Sequence, residues 1–513
     1  MGGKERAGRE AVLLGRKPGL WRVFGYALLL AAAVLFFCSK SSVAYPINDW
    51  CDANVYYSAG KGMLAGKVMY RDLYDHKGPL IYGLHALCAW VCPNGFAGVY
   101  VLEVLAAAAF LTAAHRLMAL YGGQKLAPLA MPLLALAVYA SWSFQAGDSA
   151  EELSLPLTLI PVCDVLAWLR QDGKKPPRGG RLFWDGLLFG CVFWMKFTLC
   201  GPQGAALLLL LIYVLLDHGA AAAAKALGYL LLGFLAATLP WAVYFGASNA
   251  VGSWLKTYLY DNLFLYSQGE EPLSLGSRGV LMLRSVWAWI TENPLYAVPV
   301  LLGGAWCVLG KGPTLRERLV LGLSLLFCGA GAFITGRTYP YYALSLAAFA
   351  PVFFLPLAAR LEKPLAARLT AKNNRWLTAG LCLVCVGLCP ALCHNVRESF
   401  GMPKAATMQY QFAAVIDQTP GATLLNYGFM DAGFYTAANI APTVKYFHQA
   451  NVPLQEMLDE QERYIADGVC DYVVTRGKQP ERIADKYDLV ATADSPPGFW
   501  YEHVYLYRKR VEK

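Results

Sequence analysis

Apolar runs long enough to cross a bilayer recur through this chain, and that pattern excludes most folds. Each run approaches the roughly 17–25 residues that a membrane helix needs. In lipid every backbone N–H and C=O must be satisfied within the protein, so such runs form helices. Eleven spans are read, at about 20–40, 96–116, 125–142, 152–169, 182–198, 200–216, 226–247, 295–310, 319–336, 341–359 and 376–394. Only 15% of the 513 residues are charged and 57% are hydrophobic, against roughly 25% charged in a typical soluble domain. The expected architecture is an all-α polytopic membrane module over 20–394.

The net charge of +9 does not point to nucleic acid. Most of the basic residues that join apolar runs lie in short loops, where they set orientation. The basic segment 1–19 is placed in the cytoplasm. The run after it is too long for a signal-peptide core and lacks a small-residue cleavage site, so it is read as a retained helix. The inside loops are then 116–125, 170–181, 217–225, 311–318 and 360–375, which hold most of the Lys and Arg of the connecting loops. The outside loops are 41–95, 143–151, 248–294 and a turn at 337–340. Residues 143–151 contain no Lys or Arg.

Eleven spans leave 395–513 outside the cell. This stretch is more polar, with strand-like segments at 422–428, 470–477 and 504–510 and a helix-like segment at 452–468. It is expected to form a small extracytoplasmic α/β domain. It shows no triad spacing, metal motif or phosphate loop, and His394, His448 and His503 read as surface histidines. Most of the 14 cysteines lie inside apolar runs, Cys382 and Cys385 among them, where a thiol is a small hydrophobe. Cys51, Cys88 and Cys92 fall on the outer side, and spacing leaves a disulfide there open.

Four polar features share the outer face. The first is the stretch from Asp49 to Tyr82, holding Asp49, Asp52, Asp72, Asp75, His76 and Lys77. The others are Asp148–Glu152, Lys196 near the end of the fifth span, and Arg337 with Tyr339–Tyr342. Ionisable groups beside a bilayer are costly to desolvate and mark candidate sites. The mix has a chemical logic. A carboxylate can take the proton of an incoming hydroxyl. Lys and Arg can hold a phosphate and the charge that builds on it as it leaves. Tyr can hydrogen-bond a phosphate or stack on a sugar. Each residue also has a bland reading. Asp52 can open a helix, Glu151 and Glu152 suit a helix N-terminus, and Lys77 can snorkel to the interface. Asp72 and Asp75 can pair locally with Arg71 or Lys77, and Tyr341 can belong to an aromatic belt. Asp164, in mid-span, reads as a buried structural group. The loop 248–294, with Tyr258, Tyr260, Asp261, Asn262 and Arg278, suits a substrate loop or an interfacial helix.

The first loop resembles that of the GT-C glycosyltransferases, polytopic enzymes that use polyprenyl-phosphate sugars. It is most similar to the branch of protein O-mannosyltransferases and lipid A aminoarabinose transferases. Asp52-Ala-Asn-Val-Tyr56 matches the acidic element after the first span, and His76-Lys77-Gly78-Pro79-Leu80 matches the Lys-(Gly/Pro)-Pro-Leu element. The resemblance implies that Asp52 is the catalytic base and that Lys77 contacts the lipid phosphate. His76, Glu151, Glu152, Lys196, Arg337 and Tyr341 are the further binding candidates. The chain departs from the family pattern at two points. Asp52-Ala53 stands where the family often has Asp-Glu, which makes Asp49 a rival base. Tyr339-Pro340-Tyr341-Tyr342 stands where the family often has a His-containing element.

The implied activity is inverting transfer of a sugar from a polyprenyl-phosphate donor to a hydroxyl of a cell-surface acceptor, such as a glycan, teichoic-type polymer, lipid or protein. The resemblance requires no cofactor and no metal ligands, although the carboxylates could hold a divalent cation. The expected partners are the lipid-linked donor, the acceptor and membrane lipid. Two other classes fit the same features. A flippase of lipid-linked glycans would place its charges near the bilayer midplane on broken helices. A non-catalytic member of a glycan-assembly complex would keep the fold without the chemistry.

Overall fold

The computed structural model describes residues 19–171, 175–266, 275–334, 337, 339–477, 479–494 and 503–510. Among the described residues every expected span falls mainly on helix. In chain order the longer helices are α1 (Leu20–Cys38), α2 (Cys51–Leu64), α3 (Pro79–Val91), α4 (Ala97–Leu120), α5 (Leu126–Tyr139), α6 (Ala150–Arg170), α7 (Gly179–Lys196), α8 (Gly201–His218), α9 (Ala220–Ala247), α10 (Leu275–Glu292), α11 (Pro294–Leu309), α12 (Leu315–Phe333), α13 (Phe354–Arg368) and α14 (Ala371–Leu392). Among the described residues seven stretches are long and apolar enough to cross a membrane, one of them the whole of Gly179–His218. Helices α3, α5 and α11 are apolar but shorter.

Three local features depart from a simple series of rods. The stretch 41–95 is not a plain loop, because α2 and α3 lie within it. The run expected at 341–359 begins as a 3₁₀ helix, Pro340–Phe353, before α13. The step between α7 and α8 is a 3₁₀ turn at Phe197–Cys200, with Pro202 in the first turn of α8. Proline is accepted there because the first helical N–H groups have no partner inside the helix.

Beyond α14 lies a four-stranded sheet of β1 (Leu424–Asn426), β2 (Tyr472–Arg476), β3 (Tyr487–Asp494) and β4 (His503–Lys509), in the order β1-β2-β4-β3. β1 pairs parallel to β2, and β4 pairs antiparallel to both β2 and β3. The sequence reading did not include β3. It is an edge strand that buries little more than Tyr487 and Ala493, so its alternation is weak. The helix expected at 452–468 is present as Gln455–Asp467 and ends on Gly468 in the left-handed conformation, a frequent helix stop.

This C-terminal segment packs on α2. Ser58 donates to Asp431 at 2.6 Å, and Thr436 donates to Asn54 at 2.9 Å. His448, expected at the surface, is completely buried. Its neighbours come from the distant loop at Asp75, which a local reading of residues 442–452 does not reveal. All 14 cysteines are free, Cys51, Cys88 and Cys92 included.

Candidate functional site

The segment before α3 is held in place by its backbone. Gly78 approaches the end of α7 so closely that a Cβ on it would lie 2.0 Å from the Trp194 carbonyl oxygen. Its N–H donates to the Met195 carbonyl at 3.0 Å. Pro79 starts α3, where its fixed φ suits a first helical turn. Two tyrosines complete the clamp. Tyr70 donates its hydroxyl to the Lys77 carbonyl at 2.7 Å, and the Lys77 N–H donates to the Tyr82 hydroxyl at 3.0 Å. Tyr82 in turn donates to Asp75 at 2.5 Å. The Gly-Pro pair and these phenols thus aim the Lys77 side chain.

Lys77 Nζ lies 3.4 Å from Asp52 Oδ2, and both side chains are almost fully buried. The Tyr56 hydroxyl donates to the same carboxylate oxygen at 3.1 Å. Asp52 lies in the first turn of α2 but does not cap it, because Trp50 holds the N-cap position. Burial alone would lower the Lys77 pKa. The Asp52 charge, helped by Tyr56 and Asp75, outweighs it, and the ammonium is held well above its usual range. Removing one partner from such a buried pair typically costs about 3–5 kcal/mol, since the other charge is left uncompensated.

A cavity of about 170 Å³ opens beside this pair. Its polar lining comes from His76, Lys77, Glu151, Lys196, Asn262 and Arg337, and Phe197, Leu199, Leu263 and Ala332 supply apolar wall. Glu151 and Lys196 meet at 2.5 Å across the ends of α6 and α7. Lys196 Nζ also sits 4.0 Å from the centre of the Tyr342 ring, an attraction that suits a cation over a ring face. Arg337 stacks on Tyr266 at 3.7 Å and donates to its carbonyl at 2.7 Å. Tyr266 and Tyr342 join through their hydroxyls at 2.9 Å. The His76 ring lies 4.6 Å from the Tyr266 ring. Burial first, and then the Lys77 charge, lower the His76 pKa, which favours the neutral imidazole.

Of the residues singled out in the sequence, His76, Lys77, Glu151, Lys196 and Arg337 line this one cavity, and Asp52 joins it through Lys77. Three others do not line it. Asp49 is held by Lys40 at 2.8 Å, and Lys40 also reaches Glu398 at 2.9 Å. Glu152 turns away from Glu151 into a buried group with Glu103 and Asp148. The Asp148 N–H donates to both glutamates at 2.9 Å, and the Asp148 carboxylate pairs with His85 at 2.8 Å. Gly147, with φ +87°, is needed there, since a Cβ would strike Glu103 Oε1. Tyr341 packs edge-on against Trp50 at 5.2 Å with Lys196 Nζ 5.5 Å from its ring centre, and its neighbour Tyr342 lines the cavity.

The bland readings hold for some residues. Asp72 pairs with its neighbour Arg71 at 2.8 Å. Asp164 is bound by Arg116 and Arg181. Asp261 is taken by Lys256 and Tyr74, and Tyr260 is exposed. Tyr258 and Asn262 do line the cavity. They are brought there by a π-helical stretch, Lys256–Leu265, a form often found at functional sites. Tyr266 carries no charge and follows an apolar run, so nothing in the sequence marked it. Among the described residues no three His, Cys, Asp or Glu side chains come together as a metal site.

No protein-family model matches the chain, and no curated protein matches it in sequence. Solved structures do match. ArnT from Cupriavidus metallidurans bound to undecaprenyl phosphate superposes with a TM-score of 0.57 at 14% identity, covering 94% of this chain and 98% of that one. The apo form of the same protein gives 0.57 at 13% identity, with the same coverage. The chain has a GT-C fold. The archaeal oligosaccharyltransferase AglB from Archaeoglobus fulgidus is more distant, with a TM-score of 0.47 at 11% identity over 89% of this chain and 69% of that one. The ArnT match covers nearly the whole of both chains, so it takes in the C-terminal segment as well as the helices.

Proposed function

We propose that the chain is an integral membrane glycosyltransferase that takes a sugar from a polyprenyl-phosphate donor. The observation that carries this reading is the convergence of Lys77, Lys196 and Arg337 on one cavity, with the Asp52 carboxylate beside Lys77. Three cations from three distant parts of the chain suit a phosphate that gains charge as it leaves. The bound undecaprenyl phosphate of the similar ArnT structure supports a lipid phosphate as the ligand class.

The reaction is a single displacement. Asp52 accepts the proton of the acceptor hydroxyl, and the oxygen forms its bond to the anomeric carbon from the face opposite the phosphate. The bond between that carbon and the phosphate oxygen breaks, the anomeric centre inverts, and the polyprenyl phosphate departs against Lys77, Lys196 and Arg337. As the base Asp52 acts through its carboxylate, which the Lys77 ammonium and the Tyr56 hydroxyl both contact. The site faces the extracytoplasmic side, a placement that rests on the basic loops at the other membrane face. The acceptor is a cell-surface hydroxyl.

The charges sit at the ends of α6 and α7 rather than at their middles, which favours an enzyme over a flippase. The test is turnover by purified protein in lipid nanodiscs with undecaprenyl-phosphate sugars, read as released undecaprenyl phosphate. Release that depends on Asp52 supports the proposal. Lipid transport across a bilayer without release would replace it.

A further inference from the structure

The Tyr56 hydroxyl donates to Asp52 at 3.1 Å, so whatever fixes the Tyr56 ring bears on the proposed base. Tyr56 lies on α2 one turn before Gly60. At Gly60 helix α3 comes so close that a Cβ would lie 2.5 Å from the Ala86 nitrogen. Residues four apart share a helix face, so this close approach also brings α3 to Tyr56. The side chain that meets it there is His85. The two ring centres are 5.4 Å apart and the rings are inclined by 60°. Both residues are buried, His85 completely.

The His85 ring is held at both nitrogens. Nδ1 lies 2.7 Å from the Ile81 carbonyl oxygen. A carbonyl only accepts, so this nitrogen carries a proton. Nε2 lies 3.0 and 2.8 Å from the two carboxylate oxygens of Asp148. Asp148 is fixed in turn, since its N–H donates to Glu103 and Glu152. Its backbone is left-handed, at φ +64°, directly after the left-handed Gly147. Asp accepts that conformation at a cost that the surroundings must meet. A buried ionisable pair rarely adds stability over apolar side chains of the same volume, and Leu84 and Ala86 on either side are apolar. Such a pair suits fixing a geometry better than filling a core. We propose that His85, locked by Asp148, is a positioning residue for the transfer reaction. Its ring holds Tyr56 in the orientation that points the hydroxyl at Asp52. The inference rests on the glycosyltransferase reading. It gives His85 an effect on the base rather than on the phosphate ligand. Lys77 is aimed separately by Tyr70 and Tyr82, and its Nζ is 5.8 Å from the Tyr56 ring centre, at the limit of a cation–ring attraction.

The experiment is a double-mutant cycle on the full purified chain in lipid nanodiscs, with kcat and donor KM measured for Tyr56→Phe, His85→Gln and the two combined. Tyr56→Phe is expected to lower kcat by roughly 30-fold, the loss of a hydrogen bond to a charged group. His85→Gln keeps a donor for Asp148 but no ring. It is expected to lower kcat about tenfold and to leave donor KM within about twofold. The combined variant is expected to lie within about threefold of Tyr56→Phe alone, because both changes act through one hydroxyl. A merely structural role would raise KM as well, and its loss would multiply with that of Tyr56→Phe. His85→Phe with Asp148→Asn restores a ring behind Tyr56 and leaves no buried charge of the pair unmatched. It is expected to recover kcat above the His85→Gln value, and it serves as the folded test if His85→Gln does not fold. Multiplied losses, a loss led by KM, no recovery in the ring-bearing variant, or full turnover by Tyr56→Phe overturns the proposal. Full turnover by Asp52→Asn in the same assay would instead remove the glycosyltransferase reading, and this inference with it.

Discussion

Two acid–lysine pairs lie within one short stretch of this chain, and they do different work. Asp49 with Lys40 is a strut. Lys40 reaches from the end of α1 to Asp49 and to Glu398, half of whose side chain is exposed, and so ties the first span to the segment after the last. Asp52 with Lys77 is buried on both sides and opens onto a cavity with two further cations. The residue types are the same, so the difference lies in what surrounds each pair. Where a pair can shed its charge into water and a third ion, it serves structure. Where it is walled by Tyr56 and kept from water, its charges remain available to a ligand.

The first way to break the comparison is to neutralise each acid. Asp52→Asn is expected to lower turnover by about 10²–10⁴-fold, the usual loss when a general base is removed. Asp49→Asn is expected to leave turnover within about threefold while lowering the melting temperature by a few degrees. Equal losses of turnover would erase the distinction. Next comes Lys196→Met, expected to cost roughly 10²-fold because it also leaves Glu151 buried and unpaired. Initial rates over a range of donor concentration measure it, and Glu151→Gln in the same background should restore part of the loss. A smaller effect is expected for Tyr82→Phe, about tenfold, read mainly as a rise in KM for the donor, since Lys77 loses one clamp.

The smallest expected effect is on acid stability. His448 and His76 both have pKa values below the ordinary 6.5. Burial is the main cause, acting against Asp75 and Asp431 at His448 and together with Lys77 at His76. At these two sites the unfolded chain binds protons that the folded chain refuses, so the stability they contribute is complete above pH 6.5 and falls as the pH drops below it. Thermal melts between about pH 5 and 7 should show this slope, and His448→Gln should flatten it.

Much of this was legible in the sequence because a charge next to an apolar run is conspicuous. Lys77, Lys196, Glu151 and Arg337 stand out for that reason, and they converge. The matched motif around Gly78 also has a local cause, since a Cβ does not fit there and Pro79 suits the first turn of α3. What escaped notice depends on packing between distant segments. Glu103 and His85 lie inside helices and find their partners at Asp148. Lys40 closes the first expected span and finds Asp49 and Glu398 beyond it. His448 lies in a polar segment, yet the fold encloses it against Asp75 and Asp431. Asp49 and Asp52 are three residues apart in similar company, and only the fold separates the strut from the cavity pair.

The measurement that reaches the central claim most directly is a cryo-EM structure of the chain with undecaprenyl phosphate. The account predicts phosphate density within hydrogen-bond distance of Lys77 Nζ, between Lys196 and Arg337, with Asp52 on its open side. Phosphate seated at Lys40 and Asp49, or at a place remote from Lys77, would contradict it.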